Sequence, residues 1–174
     1  MFSLIVAESA IFAIFVVAYV YYIGKSDFGP SPRQVLDVPV SYTVCLLSSS
    51  FFIRLAERAI ERNQMKRFAA WWAITFLLGA TFIAGTALEW RKLIYQDGFT
   101  IRTNVFGTTF YSLVGLHASH VVVGLIMLFT VLVFALTGVL QAEHSYRVKV
   151  LSLYWHFVDA VWVVVFTVVY LVGR

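Results

Sequence analysis

At 174 residues, with 61% hydrophobic and only 13% charged side chains, the chain is too apolar for a soluble globular domain. A mean hydropathy of +0.86 marks an integral membrane protein with no room for a sizeable extramembrane domain. The net charge of +4 and the single Cys45 exclude more: no basic stripe interleaved with aromatics points to a nucleic-acid partner, and one cysteine supplies neither a disulfide framework nor a thiolate metal site.

Five apolar segments are long enough to span a bilayer. They predict an all-α fold, an integral membrane bundle of five transmembrane helices forming one membrane domain over residues 1–174. The first segment, 4–23, holds Glu8 about a third of the way along. It is read as part of the mature protein, because no Lys or Arg precedes it and its apolar stretch exceeds a signal-peptide core. The second, 38–55, is short and relies on Arg54 snorkelling to the interface. Beyond it, "IRLAERAIERNQMKR" spaces Glu57 and Glu61 against Arg54, Arg58 and Arg62, which predicts a solvated helical extension with i,i+4 ion pairs. The third segment is 68–88. The fourth, 105–140, would be about 54 Å long at the helical rise. It is read as one tilted helix, because no Pro, Asn or Asp offers a turn. The fifth is 150–172.

Loop cations divide almost evenly. Arg54, Arg58, Arg62, Lys66, Arg67, Arg147 and Lys149 fall on one side, and Lys25, Arg33, Arg91, Lys92, Arg102 and Arg174 on the other. The dense 54–67 cluster flanks the membrane, where the positive-inside rule acts most strongly. The N-terminus is therefore expected in the cytoplasm and the C-terminus on the outer side.

Ionisable groups inside these helices need a reason, since a central Asp costs about 2.5 to 3.5 kcal/mol on insertion scales and nearly always faces protein or water. Glu8 reads either as a carboxylic acid hydrogen-bonded to a neighbouring helix or as a functional group. His117 and His120 stand at i and i+3 with Gly124 on the same face, and His156 and Asp159 repeat that spacing in the fifth segment. Histidines at such places suit a b-type haem, but two haems would need His pairs set half a bilayer apart on two helices, and His144 lies outside the membrane. A proton-coupled transporter with Glu8, Asp159 and the histidines as a relay lacks centrally broken helices and an inverted repeat.

The runs "YWHFVDAVW" (154–162), "FGTTFYSLVGLHASHVVVG" (106–124), "LEW" (88–90), "DVPVSYTVCLLSSS" (37–50) and "AES" (7–9) together resemble subunit III of haem-copper cytochrome c oxidases, in order and along essentially the whole chain. Members commonly have seven helices, and this chain would start at the third, as short five-helix bacterial forms do. The resemblance implies a chain in a bacterial inner membrane with no catalytic centre, metal or redox cofactor of its own. Haem and copper would reside in oxidase subunits I and II, with structural phospholipid bound and a wider respiratory supercomplex as a further partner. It also implies that Glu8 matches the family's carbodiimide-reactive glutamate, supporting proton uptake or oxygen access. His117, His120, His156 and Asp159 are expected to form a polar lock between the fourth and fifth helices. In the family a lipid-holding cleft separates the first two helices of such a form from the rest, and Trp71, Trp72, Arg54 and Arg58 are its candidate lining here. Phe134, Lys149 and the Glu57-Arg58 pair depart from the family pattern of a late basic residue, an acid before "YWHFVD" and a His pair. A branch that accompanies nitric oxide reductases shares much of this pattern and is the nearest alternative.

Overall fold

The computed structural model of the chain describes residues 2–22, 39–95, 98 and 105–172. Five long helices hold nearly all of them: α1 (Phe2–Tyr22), α2 (Val40–Glu61), α3 (Met65–Tyr95), α4 (Val105–Leu136) and α5 (Ser145–Phe166). A single 3₁₀ turn, Ala142–His144, leads into α5, which continues as a π-helical segment over Thr167–Val172. No strand occurs among the described residues.

Among the described residues, four stretches are long and apolar enough to cross a membrane, Ser3–Tyr22, Met65–Tyr95, Gly107–Leu136 and Ala142–Val172. The helix missing from that set is α2, where Ser48, Ser49 and Ser50 and then the charges from Arg54 to Glu61 dilute the apolar run. The helices also end elsewhere than the hydropathy boundaries. Because polar side chains do not stop a helix, α2 extends six residues past 55, to Glu61. It closes on Asn63 at φ 56°, with Gln64 N–H donating to the Ala59 carbonyl (2.9 Å) and Asn63 N–H to that of Ile60 (3.0 Å). That pair is the Schellman arrangement, with Asn supplying the left-handed residue. Likewise α3 outruns 68–88 at both ends. In contrast α4 stops at Leu136 rather than 140. Gly138 turns the chain at φ 75°, a conformation open to Gly without a Cβ penalty, and a turn needs neither Pro, Asn nor Asp there.

The chain packs as two compact units, one made of Val40–Ala84 and His120–Asp159, the other of Met1–Pro39, Gly85–Ser119 and Ala160–Arg174. In the first, α2 turns a stripe of fully buried residues inward, Leu46, Ser49, Ile53, Ala56 and Ile60, spaced three and four apart as one helical face requires. Trp72 donates its indole N–H to the Leu128 carbonyl at 2.8 Å. Trp155 is seated over two glycines. A Cβ at Gly79 would stand 2.6 Å from its ring, and one at Gly124 would stand 2.9 Å away. Lipid gives helices no hydrophobic reason to associate, so close approach at small residues is what holds such packing. In the second unit, His117 stacks on Trp162 (centroids 5.0 Å), Phe166 tilts onto Tyr170 (5.4 Å), and the Tyr170 hydroxyl donates to Glu89 Oε1 at 3.1 Å.

Gly79→Ala and Gly124→Ala should each lower resistance to unfolding in a detergent titration by about 1–3 kcal/mol, the usual cost of overpacking. Gly115→Ala, whose added Cβ meets Trp90 at 3.4 Å, should stay near the parent, and equal stability of all three variants would contradict this packing.

Candidate functional site

The site begins with two residues of α5, His156 and Asp159, which a spacing of three puts on one face a turn apart. Ser50 of α2 meets both. Its hydroxyl lies 2.9 Å from His156 Nδ1 and donates a short hydrogen bond to Asp159 Oδ2. Asp159 is 4% exposed, so burial makes this bond matter: a buried carboxylate left without a donor carries its full desolvation cost. The neighbouring serine has a different task, since Ser49 Oγ accepts the Trp155 indole N–H at 2.8 Å. One turn of α2 thus receives three side chains from α5, Trp155, His156 and Asp159. Sequence reasoning did not single out Ser50, although three consecutive serines inside an apolar helix are the signal that marks it.

Beyond His156, toward the C-terminus of α2, a recess of about 390 Å³ is lined by Arg54, Glu57, Arg58, Glu61, Lys149 and His156. Lys149 Nζ and Glu61 Oε1 close one side at 2.5 Å. The hydrogen bond and charge of Lys149 hold the exposed Glu61 carboxyl below its ordinary range, helped by Arg58 and Arg62. At such exposure the pair fixes geometry more than it adds stability.

The other sequence-predicted residues separate. His117 is buried between Trp162 and the edge of Phe12 (6.4 Å). His120 offers its backbone carbonyl to the Tyr154 hydroxyl (3.2 Å). The polar lock was expected to join Asp159 to the α4 histidines, but the hydrogen bonds of His156 and Asp159 run to Ser50 on α2. The physical reason is register: the α5 face that carries positions 156 and 159 meets α2 at its serine run. Trp72 is fully buried and hydrogen-bonded to Leu128, so it is a core residue and does not line a lipid cleft. Trp71 stacks on Phe52 at 5.7 Å. Arg54 and Arg58 border the polar recess. Phe134, 46% exposed, lines a 410 Å³ groove with Ile126, Thr130, Val131, Arg147 and Leu151. Glu8 sits half-buried on α1. Among the described residues, no group of three or more His, Cys, Asp and Glu is gathered to hold a metal ion.

Described residues that are helical, with four stretches long and apolar enough to cross a membrane, and a buried Asp159 and half-buried His156 that turn to another helix, define an integral membrane protein built on interhelical hydrogen bonds. A family model described as "Cytochrome c oxidase subunit III" matches residues 2–174. Among its relatives, cytochrome c oxidase subunit 3 of Bacillus sp. (strain PS3) is 36% identical over 168 residues, covering 95% of this chain and 81% of the relative. Cytochrome bo(3) ubiquinol oxidase subunit 3 of Pseudomonas aeruginosa is 35% identical over 171 residues, 97% of this chain and 81% of the relative. Cytochrome c oxidase subunit 3 of Synechocystis is 37% identical over 171 residues, 96% and 72%. The chain belongs to the cytochrome c oxidase subunit III family. It is thus subunit III of a haem-copper terminal oxidase, a non-catalytic part of a respiratory oxidoreductase complex, from a family that carries no redox cofactor itself.

Asp159→Ala removes the acceptor of the Ser50 hydroxyl, at a cost of about 1–3 kcal/mol. The subunit should then dissociate more readily from its complex during detergent delipidation, read as the fraction retained on gel filtration. Full retention in Asp159→Ala would contradict a stabilising role for this bridge.

Proposed function

We propose that the chain serves as a scaffold for the catalytic subunit of the oxidase, packing in the membrane against subunits I and II, which hold the haem and copper, with phospholipid filling the gaps. All five helices span the bilayer in this reading, α2 included, with Arg54 at the interface. The cluster Arg54, Arg58, Arg62, Lys66 and Arg67 favours a cytoplasmic N-terminus in a bacterial cell membrane, with the C-terminus outside and the complex open to association in a respiratory supercomplex. The observation that carries the reading is the match to subunit III across residues 2–174 of a chain whose described residues are almost entirely helix. The relatives' names are those of oxidases acting on cytochrome c or ubiquinol, which favours an oxidase over the nitric oxide reductase branch.

Only 11% of the crossing window of α1 is buried within the chain. Its remaining surface is covered by lipid or by another subunit, and Glu8 lies on this helix. The role proposed for Glu8 is therefore support of proton uptake or oxygen access beside the catalytic subunit, while His117, His120, His156 and Asp159 serve packing.

The test is purification from native membranes through a tag on this chain. A haem- and copper-bearing partner should co-purify and reduce oxygen, and a preparation without haem would refute the assignment. In that complex Glu8→Gln should keep initial oxygen-reduction rates within about twofold of the parent, a barrier change near 0.4 kcal/mol, with any loss appearing during prolonged turnover. Collapse of the initial rate with the subunit still bound would make Glu8 part of the obligatory proton route.

A further inference from the structure

We propose that Asp159 is a proton-exchange site, connected through Ser50 and His156 to water in the recess at the C-terminal end of α2. The proposal goes beyond a scaffold role, because a scaffold needs only that the buried carboxyl be hydrogen-bonded. Three observations point further.

First, the hydrogen bonds form a continuous chain. Ser50 Oγ is bonded to Asp159 Oδ2 and lies 2.9 Å from His156 Nδ1, so a single hydroxyl links an imidazole to a carboxyl. Second, the chain opens onto a recess large enough to hold water. His156 lines a recess of about 390 Å³, large against the roughly 30 Å³ share of one water molecule, and with Nδ1 engaged by Ser50 its Nε2 is the nitrogen left for that water. Third, the inner end has spare capacity. Asp159 Oδ1 is buried with no hydrogen-bond partner among the described residues, whereas a purely structural carboxyl would be expected to use both oxygens.

The transfer balances without a co-reactant. In the starting state Ser50 donates to the Asp159 carboxylate, and His156 carries its proton on Nδ1 and donates to Ser50 Oγ. A hydronium ion in the recess gives a proton to Nε2, forming an N–H bond and leaving water. The Nδ1 proton moves to Ser50 Oγ, and the original hydroxyl proton of Ser50 moves to Asp159 Oδ2. Afterwards Asp159 is a neutral acid, Ser50 has its hydroxyl again, and His156 is neutral with its proton on Nε2. The hydrogen bonds now point the opposite way, and the same steps reversed return the proton to water. Arg54, Arg58 and Lys149 face the recess from the two helices that form it, together with the carboxylates Glu57 and Glu61. Lys149 and Glu61 neutralise each other at 2.5 Å, which leaves Glu57 as the carboxylate that offsets Arg54 and Arg58 in part.

The experiment uses the intact complex, brought to a pH low enough to populate the neutral Asp159 that the transfer produces, then moved from H₂O to D₂O and followed by infrared spectroscopy of the protonated carboxyl stretch. Asp159→Asn identifies the band by removing it. In the parent and in Ser50→Thr, which keeps the hydroxyl, the band should shift promptly on deuteration. In Ser50→Ala and His156→Phe the shift should slow about tenfold or more, equivalent to about 1.4 kcal/mol on the exchange barrier. Ser152→Ala, a buried serine of α5 outside the chain, should exchange as the parent does. Equal exchange rates in the parent, Ser50→Ala and His156→Phe, or a band in the parent that does not exchange, would overturn the proposal.

Discussion

One hydroxyl in a membrane helix carries much of the logic of this chain. Ser50 sits where α2 meets α5, and through it the imidazole of His156 and the carboxyl of Asp159 are both accommodated away from lipid. A buried acid in a bilayer protein is tolerable only when a donor is in place before the acid leaves water. Supplying that donor constrains the rotation of α2 and α5 about their axes, because Ser50 must face positions 156 and 159.

Other features accord with that rotation. With α5 so turned, Trp155 points between α3 and α4, where Gly79 and Gly124 leave room for its ring and Ser49 accepts its N–H. The small residues are thus the complement of one large one. Further along α5, Trp162, Phe166 and Tyr170 make a tilted aromatic ladder. It starts from His117 and ends in a hydrogen bond to Glu89. The histidines that suggested a cofactor in the sequence are absorbed in this way into packing and hydrogen bonding. That suits a family that carries no redox cofactor itself.

The helices themselves were legible in the sequence, because apolar runs of bilayer length have one structural solution. Their ends were not. Hydropathy reports where lipid ends rather than where backbone hydrogen bonding ends, so α2 and α3 overshoot, and α4 stops early at a glycine whose turn needs no polar residue. The residues of the site were half legible. His156 and Asp159 stand out because ionisable groups in an apolar run are costly, and their shared face follows from spacing alone. Which helix answers them is a long-range fact that spacing does not contain. A histidine pair at 117 and 120 looked like the answer, while the actual partner was a serine, a residue small and neutral enough to pass unnoticed. Trp72, a lipid-cleft candidate on the family resemblance alone, finds a partner for its N–H in the Leu128 carbonyl inside the protein.

The central claim is that Ser50 and Asp159 act as one unit, and a double-mutant cycle measures this directly. Unfolding free energies in a detergent titration would be compared for the parent, Ser50→Ala, Asp159→Asn and the double variant. The bridge predicts strong non-additivity, with a coupling of about 1–3 kcal/mol as for buried partners in one network. Single-variant losses that simply add, to within about 0.5 kcal/mol, would mean that the two side chains are merely neighbours and that something else joins α2 to α5.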